Sequence, residues 1–366
     1  HVSIMARNKG IPFLTGVGEL LDLLTHGSQL ILAPEKGEIL LDPDEATIEK
    51  YREMATAESR KKMGAYTLRN QEAITADGFP IDVWANASGV EEIILALENG
   101  AGGIGLYRSE FLFMKSQGGF PGEETQFLEY KRAAELCGSL PLIIRTLDIG
   151  GDKNLPYYRM DPESNPFLGF RAIRISLSER ENFKIQLRAL LRASVFGNLK
   201  IMFPMIISME EWEAAKALVE VCKEELRLEG IAFNDHIGVG VMVETPAAVM
   251  MAGELAARAD FLSIGTNDLT QYMLAVDRLN PRVAHLYDPL HPAVIRSIRT
   301  VVEAAAFHHT PAGICGELAG NREALKLLLG LGLSELSVSP TLVPEIKCQV
   351  RATDLREARK ITFESQ

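Results

Sequence analysis

The sequence has few of the features that mark secreted, membrane or nucleic-acid-binding proteins. Only four of its 366 residues are cysteines, and Cys137, Cys222, Cys315 and Cys348 lie far apart, without metal-type spacing. The net charge of −11 argues against nucleic acid or an anionic membrane as a general partner. No apolar run approaches the length of a membrane span, and no signal peptide is recognised. We therefore expect a cytoplasmic protein with free thiols and no membrane insertion.

The overall composition is typical of a globular protein with one large domain and a smaller piece. Hydrophobic residues make up 47% of the chain and charged residues 24%, and 366 residues exceed what one small core needs. We find no internal repeat and no low-complexity tract. The chain opens at His1, and its first residues resemble the middle of a domain. We therefore expect a fragment of a longer protein.

The first 80 residues divide into a small unit and a linker. Residues 1–45 predict a helix start at 2–7, a strand entry at 10–14 and a hairpin formed by 30–32 and 39–41, with Gly37 at the turn. These few elements bury little surface, so we expect the rest of their domain upstream. Residues 46–75 are rich in Glu, Lys, Arg, Met and Ala, with apolar residues at helical spacing, and the linker as a whole covers 46–80. They predict a helical linker that ends in a turn at 77–80.

Residues 81–366 alternate between apolar strand-like runs and amphipathic helical stretches. The clearest helix covers 209–229, where Ser208 and Glu211 have the spacing of a capping box. Eight units over slightly fewer than 290 residues predict a (β/α)8 TIM barrel, an α/β fold. A doubly wound open sheet also alternates, but eight units are many for it. The predicted strands are 81–85, 103–106, 142–144, 200–204, 238–243, 261–264, 312–315 and 335–338.

Polar and charged side chains follow five of these predicted strands. In a barrel all the loops after the strands lie on one face, so these residues should converge. Taken singly, a strand-end Arg or Glu is more often part of a structural ion pair, and a lone cysteine is more often a small buried hydrophobe. Their joint occurrence at successive strand ends favours a site. The residues are Arg108, Glu110, Arg145, Glu244, Asn267, Asp268, Arg278 and Cys315.

These residue types suit a metal ion and an anionic substrate. Glu244 and Asp268 follow neighbouring strands, and Mg²⁺ binds one or two carboxylates together with water and substrate oxygens. The arginines suit a ligand with phosphate and carboxylate groups, which a guanidinium binds as a planar fork. Near these cations the pKa of Cys315 should fall, which would make it a proton donor or acceptor. His308 and His309 lack further ligands at metal spacing, so we expect them on the surface.

Six long motifs resemble known motifs in their residues and in their order along the chain. Together they resemble the phosphoenolpyruvate-utilising enzymes over nearly the whole chain, and their residues are most similar to the Enzyme I family of the bacterial phosphoenolpyruvate:sugar phosphotransferase system. The motifs are 105–112 (GLYRSEFL), 144–153 (IRTLDIGGDK), 169–174 (GFRAIR), 240–246 (GVMVETP), 264–278 (IGTNDLTQYMLAVDR) and 314–320 (ICGELAG).

The resemblance implies roles for individual residues. It implies that Glu244 and Asp268 bind Mg²⁺, and that Cys315 protonates the enolate carbon to give pyruvate. The residues implied to bind phosphoenolpyruvate are Arg108, Arg145 and Arg278 as clamps, Arg171 as a further anion contact and Asn267 as a hydrogen-bond donor to the phosphoryl group.

The opening segment resembles the phosphohistidine segment of the same family. This implies that His1 accepts the phosphoryl group, that 1–45 is the C-terminal remnant of a swivelling phosphohistidine domain, and that 81–366 is the phosphoenolpyruvate-binding barrel. The family also implies transfer to the carrier protein HPr, through a domain upstream of this chain, and a homodimer formed through the barrel. Without that upstream domain, the chain should relay phosphate to HPr poorly.

Two other readings of the sequence remain open. Pyruvate phosphate dikinase and phosphoenolpyruvate synthase share the barrel and the phosphohistidine segment, but they carry a nucleotide-binding domain. The residues before His1 would separate these from Enzyme I. The other reading is a non-catalytic module that senses phosphoenolpyruvate or serves dimerisation, and the intact set of site residues argues against it.

Overall fold

The computed structural model describes residues 11–151, 153, 155–158 and 161–364. The predicted helix start at 2–7 and His1 lie outside these residues. Within the described ranges there are ten strands: β1 (Leu30–Ala33), β2 (Glu38–Leu41), β3 (Asp82–Ala87), β4 (Ile104–Arg108), β5 (Pro141–Arg145), β6 (Asn198–Phe203), β7 (Gly238–Val243), β8 (Leu262–Ile264), β9 (Ala312–Ile314) and β10 (Glu335–Val338).

Fourteen α-helices connect or follow these strands in the part of the chain that the structure describes. They are α1 (Glu45–Thr67), α2 (Val90–Glu98), α3 (Glu110–Lys115), α4 (Glu123–Cys137), α5 (Ile173–Ser178), α6 (Arg180–Ala193), α7 (Met209–Leu228), α8 (Pro246–Met250), α9 (Ala252–Ala256), α10 (Thr266–Leu274), α11 (Pro292–His308), α12 (Leu325–Gly330), α13 (Val343–Arg351) and α14 (Leu355–Glu364). None of the helices in these ranges is long and apolar enough to cross a membrane.

Strands β3 to β10 form a closed parallel barrel, which confirms the predicted (β/α)8 fold. Each strand pairs with the next along the chain, and β10 pairs with β3 to close the cylinder, with Leu336 opposite Val83. All eight strands lie within two residues of their predicted bounds. Because every connection runs from the end of one strand to the start of the next, the loops after the strands share one face.

Two layers of apolar side chains hold the barrel together. The larger layer lies between the strands and the surrounding helices and includes Ile104, Leu142 and Trp212. The smaller layer fills the barrel interior with alternate residues of the strands, as the period of two in a strand requires. Its members are Trp84, Leu106, Ile143, Met202, Met242, Phe261 and Cys315. Thus Cys315 closes the interior layer at the end of β9.

Local signals in the sequence match most elements outside the barrel. The predicted hairpin is present as β1 and β2, and Gly37 takes a positive φ of 66° at its turn. The predicted strand entry at 10–14 is wrong, because residues 11–17 have no regular structure. Pro12 has no N–H to donate to a ladder, and within the described residues the sheet formed by β1 and β2 has two strands. Whether the chain divides into domains at 45 and 80 stays a prediction.

The capping box of α7 is present in a variant form. The Ser208 hydroxyl accepts a hydrogen bond from the backbone N–H of Glu211 over 3.2 Å. The Glu211 carboxylate accepts from the N–H of Ile207, one residue before the expected Ser208, over 2.8 Å. Both bonds satisfy donors at the start of the helix, which is the physical purpose of the motif.

Candidate active site

The predicted site residues that the structure describes come together at the carboxyl ends of the barrel strands. Arg108 and Arg145 are the last residues of β4 and β5, and they are direct neighbours in the strand register. Glu244 follows β7, Asp268 lies in the first turn of α10 and Cys315 follows β9. Arg145, Glu244, Asp268 and Cys315 are all buried. His1 lies outside the described residues, so its relation to these groups stays a prediction.

A buried ionic network joins the end of β5 to the start of α3. Nη2 of Arg145 lies 2.6 Å from Oε1 of Glu110 and 2.7 Å from Oδ2 of Asp148. Nζ of Lys153 lies 2.8 Å from each of the same two carboxylates. Burial opposes the ionisation of Asp148, but Arg145, Lys153 and Arg171 outweigh it and hold its pKa well below the ordinary value. The four groups therefore remain charged inside the protein.

Arg171 extends this network to the metal-ligand candidates. Its Nη2 donates to Asp148 over 2.9 Å and to Oδ2 of Asp268 over 3.0 Å. Oδ1 of Asp268 accepts from Nη1 of Arg278 over 2.8 Å. Nη1 of Arg171 donates to the hydroxyl of Tyr272 over 2.9 Å. The four cations and the carboxylates of this region thus form one connected set.

The turn at Gly150 and Gly151 brings Lys153 back to Asp148. Gly150 and Lys153 exchange two backbone hydrogen bonds, of 2.9 and 3.2 Å, and both glycines have positive φ, 98° and 67°. A side-chain carbon at Gly150 would lie 2.5 Å from Cβ of Arg171, so only glycine fits there. The backbone O of Ile149 also accepts from the N–H of Ala172 over 2.9 Å. This loop therefore fixes the position of Arg171.

Glu244 and Asp268 have the donor chemistry of a magnesium site. Burial and the nearby charge of Asp268 raise the pKa of Glu244 to about 8. Burial also opposes the ionisation of Asp268, but Arg171 and Arg278 lower its pKa. Two buried carboxylates that repel each other would both be stabilised by a divalent cation, and Mg²⁺ favours one or two such ligands. Within the described ranges no three His, Cys, Asp or Glu side chains gather around one point. Other ligands would have to come from substrate and water.

Cys315 is held as a neutral thiol. Its Sγ lies 3.7 Å from the backbone O of Ile264, and its own backbone O accepts from Nδ2 of Asn86 over 2.9 Å. Burial raises the pKa of Cys315 to about 11, which outweighs the opposing effects of Ser263, Arg145 and Arg108. The predicted fall in this pKa is therefore wrong, because the thiol lies in the apolar interior layer rather than in the open mouth. A protonated thiol is suited to donating a proton.

Asn267 and Arg108 offer hydrogen-bond donors at the same face. Oδ1 of Asn267 accepts from the N–H of Glu317 over 2.9 Å, which leaves its amide nitrogen as the group able to donate to a ligand. Arg108 is half-buried, and among the described side chains it has no hydrogen-bond or ion-pair partner. Both groups are therefore available to an anion.

The structure places at the site several groups for which the residue pattern predicts no binding role. Glu110 is among the strand-end residues that favour a site, but its sequence position does not indicate its role. Asp148 and Lys153 lie inside the motif at 144–153, and their charged side chains in apolar surroundings are the available signal. Tyr272 gave no signal, because its contact with Arg171 spans 101 residues. His308 and His309 are exposed, as predicted, and all four cysteines are free.

Comparisons with known proteins agree with the motifs. Residues 62–355 match the family model described as PEP-utilising enzyme, PEP-binding domain. Proteins named phosphoenolpyruvate-protein phosphotransferase are 47% identical in Haemophilus influenzae, over 98% of this chain and 62% of the relative, and 44% identical in Priestia megaterium, over 96% and 61%. A solved citrate lyase from Burkholderia xenovorans has a TM-score of 0.46 at 20% identity, over 78% of this chain and 82% of its own. The chain spans about three fifths of the length of the curated relatives it matches.

Proposed function

The chain belongs to the family of PEP-utilising enzymes, through their PEP-binding domain, and on that premise we propose that its barrel binds phosphoenolpyruvate with Mg²⁺ as part of a phosphoenolpyruvate-protein phosphotransferase. One observation carries the proposal. Arg145, Lys153 and Arg171 are gathered around buried carboxylates at the strand ends, next to Glu244 and Asp268. Clustered cations suit an anion with phosphate and carboxylate groups.

The division of the chain follows from the same proposal. Residues 1–45 would belong to the phosphohistidine domain, 46–80 would be the linker and 81–366 the substrate-binding barrel. Transfer to HPr would need the part of the protein that precedes this chain. A cytoplasmic homodimer, joined through the barrel, is part of the same proposal. The relatives carry the phosphotransferase name, which supports this reading over a dikinase or synthase fragment.

Positioning and charge neutralisation account for the reaction. Arg108, Arg145, Arg171 and Arg278 would hold the two anionic groups of the substrate, and Asn267 would donate to the phosphoryl group. Glu244 and Asp268 would hold Mg²⁺, which when bound offsets charge on the phosphoryl oxygens.

His1 and Cys315, each in its uncharged form, would then complete the transfer. A neutral imidazole at His1 would form a bond to phosphorus while the bond from phosphorus to the enol oxygen breaks, and that oxygen keeps the electron pair. The Cys315 thiol, protonated because burial raises its pKa to about 11, would give its proton to the enolate carbon and yield pyruvate. Solvent then restores the thiol.

Calorimetric titration of the chain with phosphoenolpyruvate, with and without Mg²⁺, tests the proposal. We expect binding that requires Mg²⁺ and that is lost in Asp268→Asn and in Glu244→Gln. Asp22→Asn, an exposed site outside the barrel, is the matched control and should bind as the unchanged chain does. Absent binding, or binding that EDTA leaves unaffected, would overturn the proposal.

A further inference from the structure

We propose that Asp148 is a positioning residue, which orients Arg145, Lys153 and Arg171 as one cation cluster for the phosphoryl group of the substrate. This inference rests on the proposed function and adds to it a residue with no direct substrate contact. One buried carboxylate would set the geometry of three cations, of which Arg145 ends β5 and the other two follow it in the chain.

The contacts of Asp148 set it apart from the other acids of the site. Its Oδ2 lies 2.7 Å from Nη2 of Arg145 and 2.8 Å from Nζ of Lys153, and its Oδ1 lies 2.9 Å from Nη2 of Arg171. Glu110 contacts Arg145 and Lys153 at 2.6 and 2.8 Å, but no contact joins it to Arg171. Among the described carboxylates, only Asp148 therefore bonds all three cations.

The cations keep hydrogen-bond donors that the protein does not use. The buried Nε atoms of Arg145 and Arg171 have no partner among the described residues. Nη1 of Arg145 has only the sulfur of Met242, a weak acceptor, at 3.5 Å. Buried donors without partners are costly, and the oxygens of an anionic ligand would satisfy them. The cluster is therefore organised but not saturated, as a binding site for an anion should be.

Electrostatics explains why a carboxylate is needed at this position. Three cations that meet in a buried space repel one another, and this repulsion is poorly screened. The charge of Asp148 offsets it and also fixes the direction of each donor. The turn at Gly150 and Gly151, closed by two backbone hydrogen bonds between Gly150 and Lys153, then holds Asp148 and Lys153 together. Removing the carboxylate should move the cations apart without removing any of them.

Asp148→Asn and Asp148→Glu, compared in phosphoenolpyruvate and oxalate binding at fixed Mg²⁺, test this role. Oxalate carries carboxylates but no phosphoryl group. We expect phosphoenolpyruvate binding to weaken by about 10- to 100-fold in Asp148→Asn, because misplaced supporting groups have effects of this size. Oxalate binding should weaken by less than about threefold, the change expected of a substitution that removes no contact needed by the ligand. A purely structural role would weaken both ligands equally.

Asp148→Glu keeps the charge and protects the test against a failure of Asp148→Asn to fold. Its carboxylate is one methylene longer, so we expect the same selective loss for phosphoenolpyruvate in a folded protein. Asp82→Asn, an exposed acid at the opposite end of the barrel, is the matched control. Equal affinity for phosphoenolpyruvate in Asp148→Glu and the unchanged chain, or equal losses for both ligands, overturns the inference while the proposed function stands. If the unchanged chain fails to bind phosphoenolpyruvate, the proposed function itself fails.

Discussion

Arg171 and Asp268 lie 97 residues apart in the sequence, and Nη2 of Arg171 is 3.0 Å from Oδ2 of Asp268. The same nitrogen contacts Asp148, and the other terminal nitrogen contacts Tyr272. One planar guanidinium thus joins the loop after β5 to helix α10. Lysine carries the same charge but presents it at a single point, so it cannot reproduce this set of contacts.

We predict that Arg171→Lys weakens phosphoenolpyruvate binding by about 10- to 100-fold, because lysine loses the bonds to Asp148, Asp268 and Tyr272 that orient this cation toward the substrate. Titration calorimetry at fixed Mg²⁺ measures the change. Arg188→Lys is the matched control, because Arg188 is half-buried and bonded to Glu123 at the start of α4 and to Glu229 just after α7. It should lower stability slightly and leave affinity unchanged. Equal affinity in Arg171→Lys and the unchanged chain would contradict the prediction.

Gly150→Ala should destabilise the chain and impair binding together. The residue has a φ of 98°, and a side-chain carbon would lie 2.5 Å from Cβ of Arg171. Strain at one such position costs about 1–3 kcal/mol. Gly230→Ala is a control for φ alone, since Gly230 has a φ of 71° with open space around it. Urea denaturation and calorimetry should give a larger loss of stability for Gly150→Ala, and lost affinity for that variant only.

Thiol labelling checks the protonation of Cys315. Burial raises the pKa of Cys315 to about 11, and it raises those of Cys137 and Cys222 to about 12. Because the thiolate is the reactive form, these three thiols should resist iodoacetamide at pH 8 in the native protein. Cys348 is only half-buried and should be labelled first.

Mass spectrometry should therefore find one modified cysteine in the native chain and four in urea. Cys348→Ser should reduce the native count to zero. Rapid native labelling of Cys315 at pH 8 would show that the thiol is more accessible and more acidic than the structure indicates.

Glu335 should make stability depend on pH from the end of the barrel opposite the site. Burial raises its pKa from 4.5 to about 8; Lys200 opposes the rise and Asp82 adds to it. Its Oε1 has no hydrogen-bond partner among the described residues. The pKa of Glu335 is higher in the folded state than in the unfolded state. Its contribution to the free energy of unfolding is therefore present in full below pH 4.5 and is lost as the pH rises through about 8.

Glu335→Gln should remove that loss. We expect the stability of the variant relative to the unchanged chain to rise between pH 5 and pH 9 by more than about 1.4 kcal/mol, the free energy that corresponds to one pKa unit. Urea denaturation at both pH values measures the difference. Glu303→Gln, at an exposed position on α11, should show no gain. Parallel stability curves for Glu335→Gln and the unchanged chain would contradict the assignment.

Local patterns predict the barrel well because each strand is indicated by residues that are close to one another in the sequence. The runs at 238–243 and 335–338 match β7 and β10 residue for residue. The same reasoning places Glu244 and Asp268 at strand ends, since strand direction determines on which face a following residue lies. The roles of these residues follow from the family resemblance, because the spacing of apolar residues does not indicate them.

The remaining features depend on contacts between distant segments. The pKa of Cys315 was predicted to fall, and it rises, because the surroundings of the thiol come from other strands. The three bonds of Asp148 depend on a turn at Gly150 whose conformation no residue pattern specifies. The apolar residues around Pro12 suggest a strand, but residues 11–17 have no regular structure.

The pairing of Leu336 in β10 with Val83 in β3 has a consequence for synthesis of the chain. A ribosome completes every described residue of the site, up to Cys315, before it adds the last strand of the cylinder. Until then β3 and β9 are open edges, which readily pair with other chains. Chains that terminate before Glu335 should therefore aggregate rather than bind substrate, even though their site residues are all present.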